Sequence, residues 1–228
     1  MSERGIHQEG RLRARPAATP AAYAPVGLLA LEAANGYLYV PAGYSAQEPA
    51  PLALQLHGAG EDARDGMAQL RGQADEAGII LLALSSRGPT WDMILGRGRY
   101  GPDVATIDRA LEDAFSRCAI DPARLAVGGY SDGGSYALSL GLTNGDLFTH
   151  VLAFSPGFFM PANRKGFPRV FVSHGTDDGW LPIGRTSRRI VPQLRQAGYR
   201  VRYREFEGGH VVPPAIAREA AGWFVGGG

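Results

Sequence analysis

Three residue types that can act together on a carbonyl carbon recur in glycine-rich surroundings. Ser131 stands in Gly129-Tyr130-Ser131-Asp132-Gly133, Asp177 and Asp178 lie side by side in "SHGTDDGWLP", and His210 follows in "EGGHVVP". A serine hydroxyl is a poor nucleophile until a base takes its proton, and a neutral imidazole needs a carboxylate to fix its tautomer and stabilise its charged form. The negative oxygen that develops on an attacked carbonyl needs N–H donors aimed at it. His57-Gly58-Ala59-Gly60 is a run of small residues whose backbone could supply one, alongside the N–H of Asp132.

A G-x-S-x-G pattern decides little by itself in a chain with 32 glycines among 228 residues. Its setting carries more weight. Leu125-Ala126-Val127 reads as a short buried strand entering the motif, and Ser135 to Leu142 as a helix leaving it. So sharp a reversal forces the serine backbone into a strained conformation, and glycines on both sides let neighbouring chain pack close. The same turn lacks the marks of a phosphate loop, since no G-x-x-x-x-G-K-[ST] and no G-x-G-x-x-G is present.

From Tyr37 onward, short apolar segments alternate with amphipathic ones. The strand candidates are "YLYV", "LALQLH", "IILLAL", "RLAVGGY", "HVLAFS", "RVFVSH" and "RVRYREF". Helical spacing predicts helices over Asp65–Ala77, Asp103–Cys118, Gly133–Leu142, Arg185–Ala197 and Pro214–Trp223. Near-continuous apolar strands joined by helices predict an α/β fold: a mostly parallel central sheet with helices on both faces and no large cap domain. Ligands then bind beyond the carboxyl ends of the strands. The four reactive stretches, "LHGAG", "GYSDG", "SHGTDD" and "EGGH", each follow a strand candidate.

Size and composition bound the function. A chain of this length, 45% hydrophobic and 20% charged, suffices for one core and one domain, here residues 26–228. A net charge of +1 gives no reason to expect nucleic acid, and the basic runs "RLRAR" and "RTSRR" read as solvated faces. The single Cys118 allows no intramolecular disulfide and is expected in a buried helix position. Residues 1–25 mix charge, Ala and Pro without an apolar core, and read as a flexible or surface-draped arm rather than a secretory signal. No apolar run approaches the ~20 residues of a membrane span, and the expected setting is cytoplasmic. The arm could pack across the sheet edge or against a second subunit of a homodimer. His57 and His174, each before a glycine at a strand end, are expected to anchor loops; His150 is expected at the start of a strand, and His7 lies in the arm. Their spacings form no set that zinc would need, so neither metal nor cofactor is expected.

With the motifs "LHGAGED", "GYSDGGSYAL", "SHGTDDGWLP" and "GGHVVP" in this order, the chain resembles the α/β-hydrolase superfamily, and within it the small, lid-less phospholipase/carboxylesterase group of acyl-protein thioesterase-like and bacterial esterase-like enzymes. The resemblance covers about Tyr37 to Val225. It implies Ser131 as nucleophile, His210 as general base and later acid, and Ala59 and Asp132 as the oxyanion amides. In the family pattern H-G-x-x-D-x-x-x-P, His174 and Pro182 place the acid at Asp178. A reading in which Asp178 only caps a helix and Asp177 faces His210 stands beside it. For the Asp132 side chain the simplest expectation is a place near the positive end of a helix dipole.

"SSRGPTWDMILGRGRYGPD", Ser85 to Asp103, is the loop that departs from the thioesterase-like pattern. Trp91, Met93 and Ile94 are expected to form one apolar wall of a substrate pocket, Phe158-Phe159-Met160 a second, and Trp180 to lie close to the histidine loop. Without a cap the site should be open and should suit short to medium acyl esters. The rival readings are a (lyso)phospholipase or thioesterase, a polyester depolymerase or feruloyl-esterase-like hydrolase, and, from a different class, a non-catalytic binding protein on the same fold.

Overall fold

The computed structural model describes residues 3–16 and 25–226. In chain order the elements are α1 (Glu3–Gln8), β1 (Gly27–Leu31), β2 (Gly36–Val40), β3 (Ala50–Leu56), α2 (Ala63–Ala77), β4 (Ile80–Leu84), α3 (Asp92–Leu95), α4 (Pro102–Arg117), β5 (Ile120–Tyr130), α5 (Asp132–Thr143), β6 (His150–Phe154), β7 (Arg169–Gly175), α6 (Ser187–Gln196), β8 (Val201–Phe206) and α7 (Pro214–Val225). The eight strands form one sheet in the order β1-β2-β4-β3-β5-β6-β7-β8. β2 runs antiparallel to both of its neighbours, β1 and β4, and β3 to β8 are parallel to one another.

The central strands are apolar throughout because both faces are covered. Leu52, Leu54 and Leu56 of β3 and Ile80, Leu82 and Leu84 of β4 point to one side, into a core with Val104, Ile107 and Leu111 of α4, Leu138 and Leu142 of α5 and Ile190 and Leu194 of α6. The intervening Ala53, Leu81 and Ala83 face the other side, where Met67 and Leu70 of α2 meet Ala217, Ala220 and Phe224 of α7. Local chemistry sets the helix ends. Asp62 and Asp65 form a reciprocal capping box at the start of α2, and Gly78, at φ 64°, closes it in the left-handed region.

One strand lies outside the strand candidates read from sequence. "GLLAL" forms β1, an edge strand paired antiparallel with β2; its Leu and Ala residues favour helix, and pairing across the sheet edge overrides that preference. The stretch read as a flexible or surface-draped arm lies, over its described part, against the body of the fold. Asn144 Oδ1 accepts the Leu12 N–H at 2.9 Å while Asn144 Nδ2 donates to the Gly10 carbonyl at 2.7 Å. Asp108 accepts the N–H groups of Arg13 and Ala14 and contacts His7, Arg11 makes a two-pronged pair with Asp146, and Leu12 is buried in the core. Residues 17–24 lie outside the described residues.

Candidate active site

β5 ends at Tyr130 and α5 begins at Asp132, so Ser131 alone makes the turn, at φ 56° and ψ −118°. That left-handed backbone costs a non-glycine residue on the order of 1–3 kcal/mol and persists because its surroundings hold it. The Ser131 N–H donates to the Phe154 carbonyl at 2.9 Å. Gly129 and Gly133 permit the turn: a Cβ on Gly129 would stand 2.5 Å from the Gly133 carbonyl carbon, and one on Gly133 would collide with the Leu56 carbonyl.

The loops after β5, β7 and β8 bring three side chains together. Ser131 Oγ lies 2.9 Å from His210 Nε2, and His210 Nδ1 lies 2.5 Å from Asp178 Oδ2. The Asp178 side chain is fully buried, and its Oδ1 accepts the N–H groups of Trp180 and Leu181 at 2.9 and 2.8 Å. Burial alone would raise this carboxyl, but the Leu181 amide and His210 outweigh it and hold it below the usual carboxylate range. Asp178 therefore caps the following turn and faces His210 at once, joining two roles that the sequence reading set against each other. Asp177 is exposed, and its N–H donates to the Gly208 carbonyl.

Two further groups hold this cluster. His174 Nε2 sits 2.8 Å from the Leu181 carbonyl and 3.0 Å from Asp178 Oδ2, while its Nδ1 is 2.7 Å from Ser187 Oγ. Burial holds its pKa down, against the pull of Leu181 and Asp178. Tyr130 donates its hydroxyl to the His210 carbonyl at 2.5 Å and stacks obliquely on the His210 ring, with centroids 4.8 Å apart. Burial, with the charges of Glu61 and Asp178, pushes the Tyr130 phenol up to about 12, so it stays a donor. Sequence reasoning passed over Tyr130, the first variable position of the serine motif.

A cavity of about 380 Å³ opens on Ser131 and His210 and is lined also by Gly58, Ala59, Glu61, Tyr130, Asp132, Trp180 and Leu181. The backbone N–H groups of Ala59 and Asp132 donate to no protein acceptor among the described residues. The Asp132 carboxylate is turned aside and accepts from Thr90 Oγ1 at 2.8 Å. Glu61 folds back to accept the Gly58 N–H at 2.7 Å. His57 anchors its own loop: its Nε2 accepts the Ser86 N–H at 2.9 Å. A larger hollow, about 480 Å³ between Glu32 and Arg109, is lined by no serine, cysteine or histidine.

The expected pocket walls are only partly realised. Trp180 is on the cavity rim, 85% exposed. Trp91 and Met93 are buried at 1% and 0% and lie in the core, because α3 turns them inward onto α5. The Trp91 ring stacks on Tyr136, and its Nε1–H donates to the His57 carbonyl at 2.9 Å. Phe158 is half-buried against the core and is not on the cavity wall.

No protein-family model and no curated protein matches this sequence. Solved structures do match the fold. Esterase PE8 superimposes with a TM-score of 0.67 at 23% identity, covering 87% of this chain and 98% of its own. S-formylglutathione hydrolase from Staphylococcus aureus gives 0.67 at 15% identity, with coverage of 92% and 99%. The Bacillus cereus carboxylesterase gives 0.61 at 20% identity, covering 82% and 92%. The fold is thus the α/β-hydrolase fold. Among the described residues no helix is long and apolar enough to cross a membrane.

Proposed function

We propose that the protein is a serine hydrolase that cleaves carboxylic esters of short to medium acyl chain through an acyl-enzyme intermediate. The observation that carries this reading is the unbroken line of contacts from Ser131 Oγ through His210 to Asp178. With Asp178 ionised, His210 Nδ1–H donates to it and leaves Nε2 free to take the Ser131 proton. The Ser131 oxygen then adds to the ester carbonyl, and the resulting oxyanion receives the N–H groups of Ala59 and Asp132. As the carbon–oxygen bond to the alcohol breaks, His210 Nε2–H delivers its proton to the leaving alkoxide. Water, losing its proton to His210, adds to the acyl carbon and releases the acid, and Ser131 recovers its proton.

The cavity's open mouth and modest volume support short to medium acyl groups over long buried chains. The lone, buried Cys118 fits the cytoplasmic setting expected from composition. A fluorophosphonate probe should form an adduct at Ser131, and Ser131→Ala should abolish labelling and reduce ester turnover by about 10³-fold or more. Full turnover by that variant would overturn the reading. A p-nitrophenyl ester series of rising chain length, run beside thioester and polyester substrates, separates the esterase from its thioesterase and depolymerase rivals; a binding protein would leave every substrate intact.

A further inference from the structure

Pro89, Thr90 and Trp91 touch both halves of the oxyanion cradle, each through a different atom. The Pro89 carbonyl accepts the Gly60 N–H at 2.8 Å. Thr90 Oγ1 donates to Asp132 Oδ2 at 2.8 Å, and Trp91 Nε1–H donates to the His57 carbonyl at 2.9 Å. His57 and Gly60 bracket Ala59, whose N–H is one candidate donor, and Asp132 carries the other. The Ala59 donor sits in the coil after β3, which has no regular structure of its own, and the Asp132 donor is the first residue of α5.

The stretch that reaches them is itself tied down. Asp92 and Asp103 exchange bonds, the Asp92 N–H to Asp103 Oδ2 at 2.8 Å and the Asp103 N–H to Asp92 Oδ2 at 2.7 Å. Asp103 Oδ1 also takes the Arg87 N–H at 3.0 Å, which closes the base of the loop. Thr90 and Trp91 are buried, and the Trp91 ring lies between His57 and Tyr136, with centroids 4.9 and 5.1 Å away. A fixed post thus joins the two amide-bearing segments, which also meet through the β3–β5 pairing and the close approach of Gly133 to the Leu56 carbonyl.

We propose that Thr90 and Trp91 are positioning residues that set the distance between the Ala59 and Asp132 N–H groups, so that both are aimed before the oxyanion forms. This rests on the hydrolase reading above. Donors fixed in advance need not reorganise as charge develops, and their contribution is larger in the transition state than in the bound ester. Loosening them should lower kcat while leaving KM nearly unchanged. Neither side chain lines the cavity, so neither contributes to substrate affinity directly.

The test uses the full chain with p-nitrophenyl butyrate and a trifluoromethyl ketone, which adds the serine to form a tetrahedral oxyanion. Thr90→Val keeps the shape and removes the hydroxyl; Thr90→Ser keeps the hydroxyl; Trp91→Phe keeps the stack and removes the N–H. Thr90→Val and Trp91→Phe should each lower kcat and ketone affinity about tenfold, with KM within about threefold and a melting temperature within a few degrees of the parent. Thr90→Ser should restore kcat, and the double variant should show the product of the two losses. A folded Thr90→Val or Trp91→Phe protein with parental kcat, a loss confined to KM, or a Thr90→Ser protein as slow as Thr90→Val would each overturn the proposal. Should Thr90→Val fail to fold, Trp91→Phe and Thr90→Ser decide it alone. Failure of the hydrolase reading shows separately, as a parent protein that neither turns over ester nor takes the fluorophosphonate label.

Discussion

Two aspartates, one after β7 and one after β4, are screened from water and accept backbone N–H bonds, yet they titrate in opposite directions. Burial raises both. At Asp178 the Leu181 amide and the His210 ring overcome it, and the carboxyl falls below its usual range. At Asp92 the Asp103 amide opposes burial, the nearby Asp103 charge adds to it, and the pKa rises to about 6. Burial does not decide whether a carboxylate can serve as the charged member of a relay. The balance of its partners does: the Leu181 amide and the His210 ring together outweigh burial in one place, while in the other a second carboxylate's charge adds to it.

The largest break in this contrast would come from Asp178→Asn, which removes the charge that fixes the His210 tautomer. Ester turnover should fall by about 10³–10⁴-fold, whereas Asp177→Asn should stay within about twofold. Equal losses in steady-state kcat would refute the assignment of the acid.

Stability should carry the same contrast with opposite slopes. For Asp92, a folded value raised to about 6 means that the native chain holds a proton the unfolded chain has already lost, so stability falls as pH rises from about 4 to 6. Discounted for partial solvent screening, that is about 1–2 kcal/mol. Asp92→Asn retains an acceptor for the Asp103 amide and should flatten this fall; thermal melts at pH 4.5 and 7.5 should show the variant gaining on the parent at the higher pH. For Asp178 the folded value is lowered, so its contribution is present above the unfolded value and is lost as pH falls through the folded one. Melts of Asp178→Asn should therefore show a shallower acid-side decline.

The smallest effect sharpens the Asp178 side. Ser187→Ala leaves His174 Nδ1 without its partner, a cost of about 1 kcal/mol in chemical denaturation. Turnover should change by only a fewfold, because Leu181 and Trp180 still hold the carboxylate. A loss as large as that of Asp178→Asn would make His174 part of the relay itself.

Much of the site was legible in the chain because its parts are local. Ser131 sits in a strand–glycine–helix pattern whose strain is encoded within a few residues, and His210 and the aspartate pair each follow an apolar run. Choosing Asp178 needed either the family spacing or the structure, since adjacent aspartates have the same local chemistry. Trp91 and Met93 misled for a plain reason. An apolar residue in a loop fits a pocket wall and a core equally well, and only the turn of α3 decides which way it faces. What the arm packs against lay beyond any local pattern: Asn144 and Asp108, which hold residues 10–14, are more than 90 positions away.

Periodicity and punctuation along the chain determined an open, mostly parallel sheet, its helices, and the strand ends at which chemistry would gather, because these follow from side chains interacting within a turn or two of their own backbone. Tertiary structure alone decided that Asp178 caps its turn while meeting His210, that Tyr130 and His174 brace the relay, that the leading residues are strapped to the body, and that Thr90 and Trp91 join the coil after β3 to the start of α5. Those outcomes depend on directions and distances between segments far apart in sequence, and no local pattern records them.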